Sequence, residues 1–146
     1  ASPPCTRYSL AKTIGTRDLQ TADSIVTAVL RIIDYLKPKA WFIENPHALL
    51  GTRPFMQKLE ACKNTCTYCR YGFKYRKETD IWTNIQVNLR HCETRPCVAK
   101  AMYGKHLQTA QAGPTHNGTP GTPREQAYAV PEALLKQLLT AAITQI

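Results

Sequence analysis

Two short stretches hold the residues most able to do chemistry: "SPPC", ending at Cys5, and "IENP", which carries Glu44. Two prolines stiffen the backbone behind Cys5, because each fixes its own φ. Ahead of it runs "TRYSLAKTIGTRDL", rich in hydroxyls and bases, a composition suited to a mobile loop with Gly15 as a hinge. A core cysteine needs neither feature, whereas a cysteine that attacks a substrate gains from both. Glu44 closes the apolar run "AWFIE", and a carboxyl there can act as the acid beside a thiolate nucleophile. The plainer reading of Glu44 is a strand-end group accepting backbone hydrogen bonds. Its neighbour Asn45 and the Pro-Cys motif favour catalysis. His47, just beyond, faces either substrate or solvent.

Whether Cys5 and Glu44 meet depends on the elements between them. Ala22, Ile25, Val26, Val29, Ile32, Ile33 and Leu36 recur at helical spacing. Asp18 or Thr21 can cap that helix, and Pro38 ends it. "AWFIE" then reads as a buried strand. A helix running into a buried strand is half of a βαβ unit, which implies another strand just before Ala1. In a parallel α/β sheet the functional groups gather at the carboxyl ends of the strands, so both side chains would share one edge. A second helix is expected from about Arg53 to Ala61, with Thr52 as its cap and Phe55, Met56 and Leu59 as its apolar stripe. "TCTYCRYG" and "TDIWTN" read as strands flanking the basic "FKYRKE". Residues 85–123 read mostly as loop, with the turn-rich "GPTHNGTPGTP". A last helix from Pro131 is expected to bury Leu134, Leu138, Leu139, Ala142 and Ile143. Trp41 and Trp82 read as core.

The chain carries 19 Lys and Arg against 10 Asp and Glu, a formal charge of +9. That balance points to a polyanionic partner, most simply nucleic acid. No apolar run approaches the ~20 residues that cross a bilayer, and "SPPCTRYS" is no signal peptide. Six cysteines without a secretory signal suggest reduced thiols and an intracellular protein, in the cytoplasm of a prokaryote or phage host, or in a nucleus. Cys69, Cys92, Cys97 and His106 follow a C-x22-C-x4-C-x8-H spacing. Three thiolates and an imidazole suit tetrahedral zinc, with Cys62 or Cys66 as substitutes; the alternative is a set of free thiols.

Taken together, "SPPCTRYS" and "FIENP" resemble the Pro-Cys and Glu-Asn motifs of the DNA cytosine-5 methyltransferases. "YCRYGFKYRKETDIWTN" resembles the family's later segment, where Tyr-Gly precedes a basic cluster and a strand. "REQAYAVPEALLKQLL" is similar to its closing motif, and "GKHLQTAQAGP" to a phage-like and mobile-element-like subgroup. The resemblance implies a Rossmann-like α/β fold that binds S-adenosylmethionine, incomplete at its N-terminus and carrying a loop-rich insert. It also implies a reaction. Cys5 attacks carbon 6 of a flipped-out cytosine while Glu44 serves ring nitrogen 3, and carbon 5 takes the methyl group.

The same resemblance implies other roles. Arg76 or Lys77 stands in for the family's target-base arginine, because Tyr75, Lys77 and Thr79 occupy the places of its Gln-x-Arg-x-Arg. Ala127, Tyr128, Ala129 and Val130 replace its Gly-Asn-Ala-Val, leaving Pro4, Tyr128 and Ala129 as the cofactor contacts. Arg7, Ser9, Lys12 and Lys74 suit the nucleic acid. Residues 1–84 and 124–146 would form the catalytic unit, and 85–123 the recognition segment. The family's glycine-rich cofactor loop precedes the Pro-Cys motif, and no G-x-G follows a strand here, so an upstream segment is expected to complete the site. Two other readings stay open: a zinc-stapled nucleic-acid-binding remnant without turnover, and an RNA cytosine-5 methyltransferase.

Overall fold

The computed structural model describes residues 1–9, 15–111 and 118–146, the side chain of Arg124 excepted. Its centre is a three-stranded sheet of β1 (Phe42–Pro46), β2 (Lys63–Thr67) and β3 (Glu78–Thr83), in the order β1-β3-β2. β3 runs antiparallel to both neighbours, with Glu44 opposite Ile81 and Asn64 opposite the same residue on the other side. It is buried on both faces from Thr79 to Thr83, as the mixed apolar run "TDIWT" requires of a central strand.

Helices cover the two faces. Helix α1 (Leu19–Leu36) starts at Asp18, whose carboxylate accepts from the Thr21 amide at 3.0 Å, and ends at Lys37, with φ 46°. Ala22 and Val26 are buried against Ile43, Trp82, Leu50 and Met56, with Tyr8 in the same cluster. On the opposite face, helix α5 (Glu132–Gln145) buries Leu134 and Leu138 against Ile81, Cys66, Tyr68 and Tyr71. The class is therefore mixed α/β, with helices on both sides of a small sheet.

The structure corrects three of the sequence expectations. The second helix, α2, spans only Pro54–Gln57, and Glu60–Cys62 tightens into a 3-10 turn that feeds directly into β2. Thr52 does not cap it; the Thr52 hydroxyl donates to the Leu49 carbonyl instead. Of "TCTYCRYG", only the first residues belong to β2, and Tyr68–Tyr71 form a 3-10 turn closed by Gly72 at φ 98°. Finally, part of each long helical stripe is uncovered: Ile25, Ile32 and Leu36 on α1, and Leu139 and Ile143 on α5, are exposed. The described residues of the loop-rich segment 85–123 hold one short helix, α3 (Val98–Tyr103); residues 112–117 of its Gly-Pro stretch lie outside the described residues. Both tryptophans pack in the core as expected, Trp82 fully and Trp41 in part. Among the described residues no helix is long and apolar enough to cross a membrane.

Candidate active site

The sheet alone does not account for how Cys5 reaches Glu44; the first residue does. The Ala1 ammonium donates to the Phe42 carbonyl at 2.7 Å, and the Glu44 amide donates to the Ala1 carbonyl at 2.9 Å. A residue bonded to both sides of Ile43 in this way has the pattern of a parallel ladder. The chain therefore leaves the free edge of β1 in parallel register. Asn45 fixes the next turn of chain, its buried amide donating to the Pro3 carbonyl at 2.9 Å. The Tyr8 and Ser9 amides then close a turn on the Cys5 carbonyl, each at 3.0 Å. Tyr8 anchors that turn in the core, where its hydroxyl donates to Asp23 at 2.8 Å. Arg53 grips the same carboxylate with two nitrogens, at 3.1 and 2.6 Å. Burial and the Asp23 carboxylate both hold the Tyr8 phenol far above its ordinary range, so it stays a donor.

The result is a pocket of about 330 Å³ lined by Pro4, Cys5, Thr6, Glu44, Lys77 and Tyr128, among others. Glu44 is aimed into it by two hydroxyls. Tyr68 donates to one carboxylate oxygen at 2.8 Å, and Ser2 donates to the other. Burial, reinforced by the facing Glu44 carboxylate, pushes the Tyr68 phenol far up, which keeps it protonated. Lys77 sits over the Tyr68 ring at 5.0 Å and donates to the Ala127 carbonyl at 2.9 Å. The Tyr75 hydroxyl bonds the Gln126 carbonyl at 2.9 Å, so two contacts hold helix α4 (Arg124–Tyr128) beside the pocket. Burial raises the Cys5 thiol above its ordinary range, the Lys77 charge pulls it down, and Glu44 adds a smaller upward push. A half-buried thiol, a carboxyl held by two hydroxyls and an ammonium thus converge on one cavity. A larger, open depression of about 700 Å³ near Cys62, Asn84 and Gln145 has no carboxylate, imidazole or cationic side chain in its lining.

The structure thus brings Cys5, Glu44, Lys77, Pro4 and Tyr128 together. Ala129 lies exposed next to them, its amide turned back to the Gln126 carbonyl. Arg7 and Ser9 come just after the nucleophile, and the Ser9 carbonyl accepts from Arg17 at 2.7 Å. Lys12 lies outside the described residues, with the rest of residues 10–14 of the expected loop; Gly15, its expected hinge, has φ 80°. Arg76 is not in the pocket: it pairs with Glu93 at 2.6 Å and Glu78 at 3.4 Å, facing residues 85–111. Lys74 lines a different hollow, with Cys97 and Met102. His47 is tied to the buried Asp80 carboxylate at 3.0 Å, and Thr65 donates to the same group at 2.7 Å. Tyr68 and Ser2, whose hydroxyls hold the Glu44 carboxylate, are the candidate site residues that sequence reasoning missed. Glu44 and Tyr68 meet only across the sheet, and no spacing along the chain announces that.

A half-buried thiol and a carboxyl oriented by two hydroxyls, side by side at the edge of an α/β sheet, make a candidate catalytic pair. Comparison with known proteins narrows this further. The family model of the C-5 cytosine-specific DNA methylases matches residues 1–77, which contain Cys5, Glu44, Tyr68 and Lys77, and the chain belongs to that family. It is also similar to a Frog virus 3 (isolate Goorha) protein named "Probable DNA (cytosine-5)-methyltransferase". The two are 27% identical over 158 residues, covering 95% of this chain and 72% of the viral protein. No solved structure matches.

Proposed function

We propose that this protein methylates carbon 5 of cytosine in DNA through a covalent adduct on Cys5. The observation that carries the reading is the shared pocket: Cys5, Glu44 and Lys77 face one cavity, and two hydroxyls hold the Glu44 carboxyl. The target base, flipped from the duplex, enters that cavity. The Cys5 sulfur bonds to carbon 6, and the pair of the 5,6 double bond moves to carbon 5. Glu44 delivers or shares a proton at ring nitrogen 3, which makes carbon 5 electron-rich. Carbon 5 takes the methyl group; its proton then leaves to a base, the double bond re-forms, and the Cys5 sulfur is expelled.

S-adenosylmethionine supplies the methyl group when bound. Pro4 and the exposed Tyr128 ring fit one wall of its site, since both line the cavity beside the nucleophile. The other wall belongs to an upstream segment that continues the parallel pairing of Ala1 along the free edge of β1. That segment would also cover Ile25, Ile32 and Leu36, which form one exposed apolar face of α1. With it, β1, β2 and β3 become the edge of a Rossmann-like sheet in which β3 is the reversed strand. Residues 1–84 and 124–146 form the catalytic unit, and 85–123 present the recognition surface. The test is transfer of labelled methyl groups to cytosine in duplex DNA and in RNA by the protein joined to its upstream segment. Label at carbon 5 in DNA is the expected result; label only in RNA, or none, overturns the proposal.

Lys77 carries a separate prediction. Its charge opposes the burial that raises the Cys5 thiol, so it increases the thiolate fraction near neutral pH. The rate of adduct formation is expected to rise with pH and to level off only above the ordinary thiol value of about 8.5, because burial outweighs the Lys77 charge. Lys77→Gln moves that rise to higher pH and slows the reaction about tenfold at pH 8, whereas Lys77→Arg leaves its position nearly unchanged. Single-turnover rates across the range decide it; an unmoved profile in Lys77→Gln removes the electrostatic role.

A further inference from the structure

Cys69, Cys92, Cys97 and His106 come from three separate stretches, yet their ligand atoms all lie within 4.8 Å of one another. The three sulfurs are buried, and the imidazole is partly so. Cys92 Sγ and His106 Nε2 are 3.6 Å apart. Around tetrahedral zinc, with bonds of about 2.3 Å to sulfur and about 2.0 Å to nitrogen, a sulfur–nitrogen edge spans about 3.5 Å and a sulfur–sulfur edge about 3.8 Å. The cluster therefore needs little contraction to close on an ion. We propose that these four residues bind one zinc ion as a structural site, separate from the methyl-transfer pocket.

The surroundings are those of a supported site. The Cys97 amide points at Cys92 Sγ at 3.5 Å, a bond that favours a thiolate. The Cys92 amide is fixed by the Thr67 hydroxyl at 2.8 Å, and Arg70 holds the Pro96 carbonyl, next to Cys97, at 2.8 Å. Three thiolates, a neutral imidazole and a dication leave one negative charge, and Lys100 and Arg76 lie close enough to act on His106. Four protein ligands leave no open position, so the ion does no chemistry of its own. A disulfide would satisfy only two of the sulfurs and leave the imidazole unaccounted for; all six cysteines are free. Cys62 and Cys66 stand apart: Cys62 lines the open depression, and Cys66 packs under α5.

The ion has a definite task. Residues 85–111 contain one helix of six residues, and only their first part reaches the core beneath α5, through Val87 and Leu89. Beyond Arg90 the ties are polar: Arg76 to Glu93, His91 to Glu78 at 3.0 Å, and the Leu107 and Gln108 amides to the Lys74 carbonyl, each at 3.1 Å. Zinc adds the one strong link, closing the loops between Cys69 and Cys92 and between Cys97 and His106. Cys69 directly follows Tyr68, the residue that holds Glu44. The proposed recognition segment and the catalytic carboxyl are thus fastened to adjacent residues.

The experiment uses the full chain, purified without chelators and analysed by native mass and elemental analysis. About one zinc per chain is expected, retained in Cys62→Ser and lost or reduced at least about tenfold in affinity in Cys92→Ser and His106→Ala. Where a variant fails to fold, the wild-type chain still decides the matter. Cobalt exchanged for zinc should give the intense visible bands of a tetrahedral thiolate complex. Chelation should expose bonds between Cys92 and His106 to protease, and zinc should restore their protection. Substoichiometric zinc, iron in its place, equal loss in Cys62→Ser, or a disulfide within the set would each overturn the proposal.

Discussion

Replacing Cys5 by alanine is expected to abolish covalent capture of a DNA duplex carrying 5-fluorocytosine. Fluorine at carbon 5 blocks the final elimination, because there is no proton to remove once carbon 5 has taken the methyl group. An enzyme that works through the proposed adduct therefore stays bonded to its target in the presence of S-adenosylmethionine. Intact mass should show protein plus oligonucleotide plus one methyl group for the wild-type protein, and no such species for Cys5→Ala. On ordinary DNA, turnover should fall by on the order of 10³-fold or more, the scale expected when a covalent nucleophile is removed. Folding should survive, since Cys5 is only half-buried and its turn rests on Tyr8, Asp23 and Arg53. The capture is run on the protein joined to the upstream segment proposed above. A wild-type protein that methylates DNA but forms no adduct would sink the covalent mechanism while leaving the family assignment intact.

How far the sequence revealed this site varies with the physics behind each part. Helix α1 was legible because two local signals agree: an apolar period, and a start capped by Asp18. The site motifs were legible for a different reason. Pro-Pro-Cys and Glu-Asn-Pro each set a chemically able side chain within a few residues of a backbone-stiffening proline. The second helix failed because propensity and periodicity say nothing of how soon β2 must begin; the chain tightens at Glu60–Cys62 to reach it. "TCTYCRYG" misled because Tyr68, Cys69 and Tyr71 are all buried, as in a central strand, although they occupy a turn. Burial there comes from α5 and from residues 85–111, contacts made far away in sequence. Arg76 and Lys77 could not be separated in one dimension. They are neighbours, but Arg76 turns to Glu93 while Lys77 turns into the pocket.

Glu44 and its support yield the second large effect. Glu44→Gln keeps the shape of the side chain and can still accept from Tyr68, but it cannot deliver a proton to ring nitrogen 3. Loss of a positioned general acid typically costs about 10²- to 10⁴-fold, and methyl transfer should fall by that amount with target binding little changed. Tyr68→Phe removes only the hydroxyl, 2.8 Å from the carboxylate. The Ser2 bond remains, so the acid is present but less well aimed, and a loss of about tenfold is expected. The two variants should also differ in kind. Burying the Tyr68 ring against Phe73 and Leu134 does not need its oxygen, so Tyr68→Phe should keep the wild-type melting temperature within a few degrees. Its defect should appear in the single-turnover rate and not in substrate affinity. Combined, the variants should be no worse than Glu44→Gln alone, because a hydroxyl that acts by aiming the acid has nothing left to aim once the acid is gone. Multiplying losses would instead mean that Tyr68 reaches the substrate itself, and Glu44 would need another explanation for its orientation.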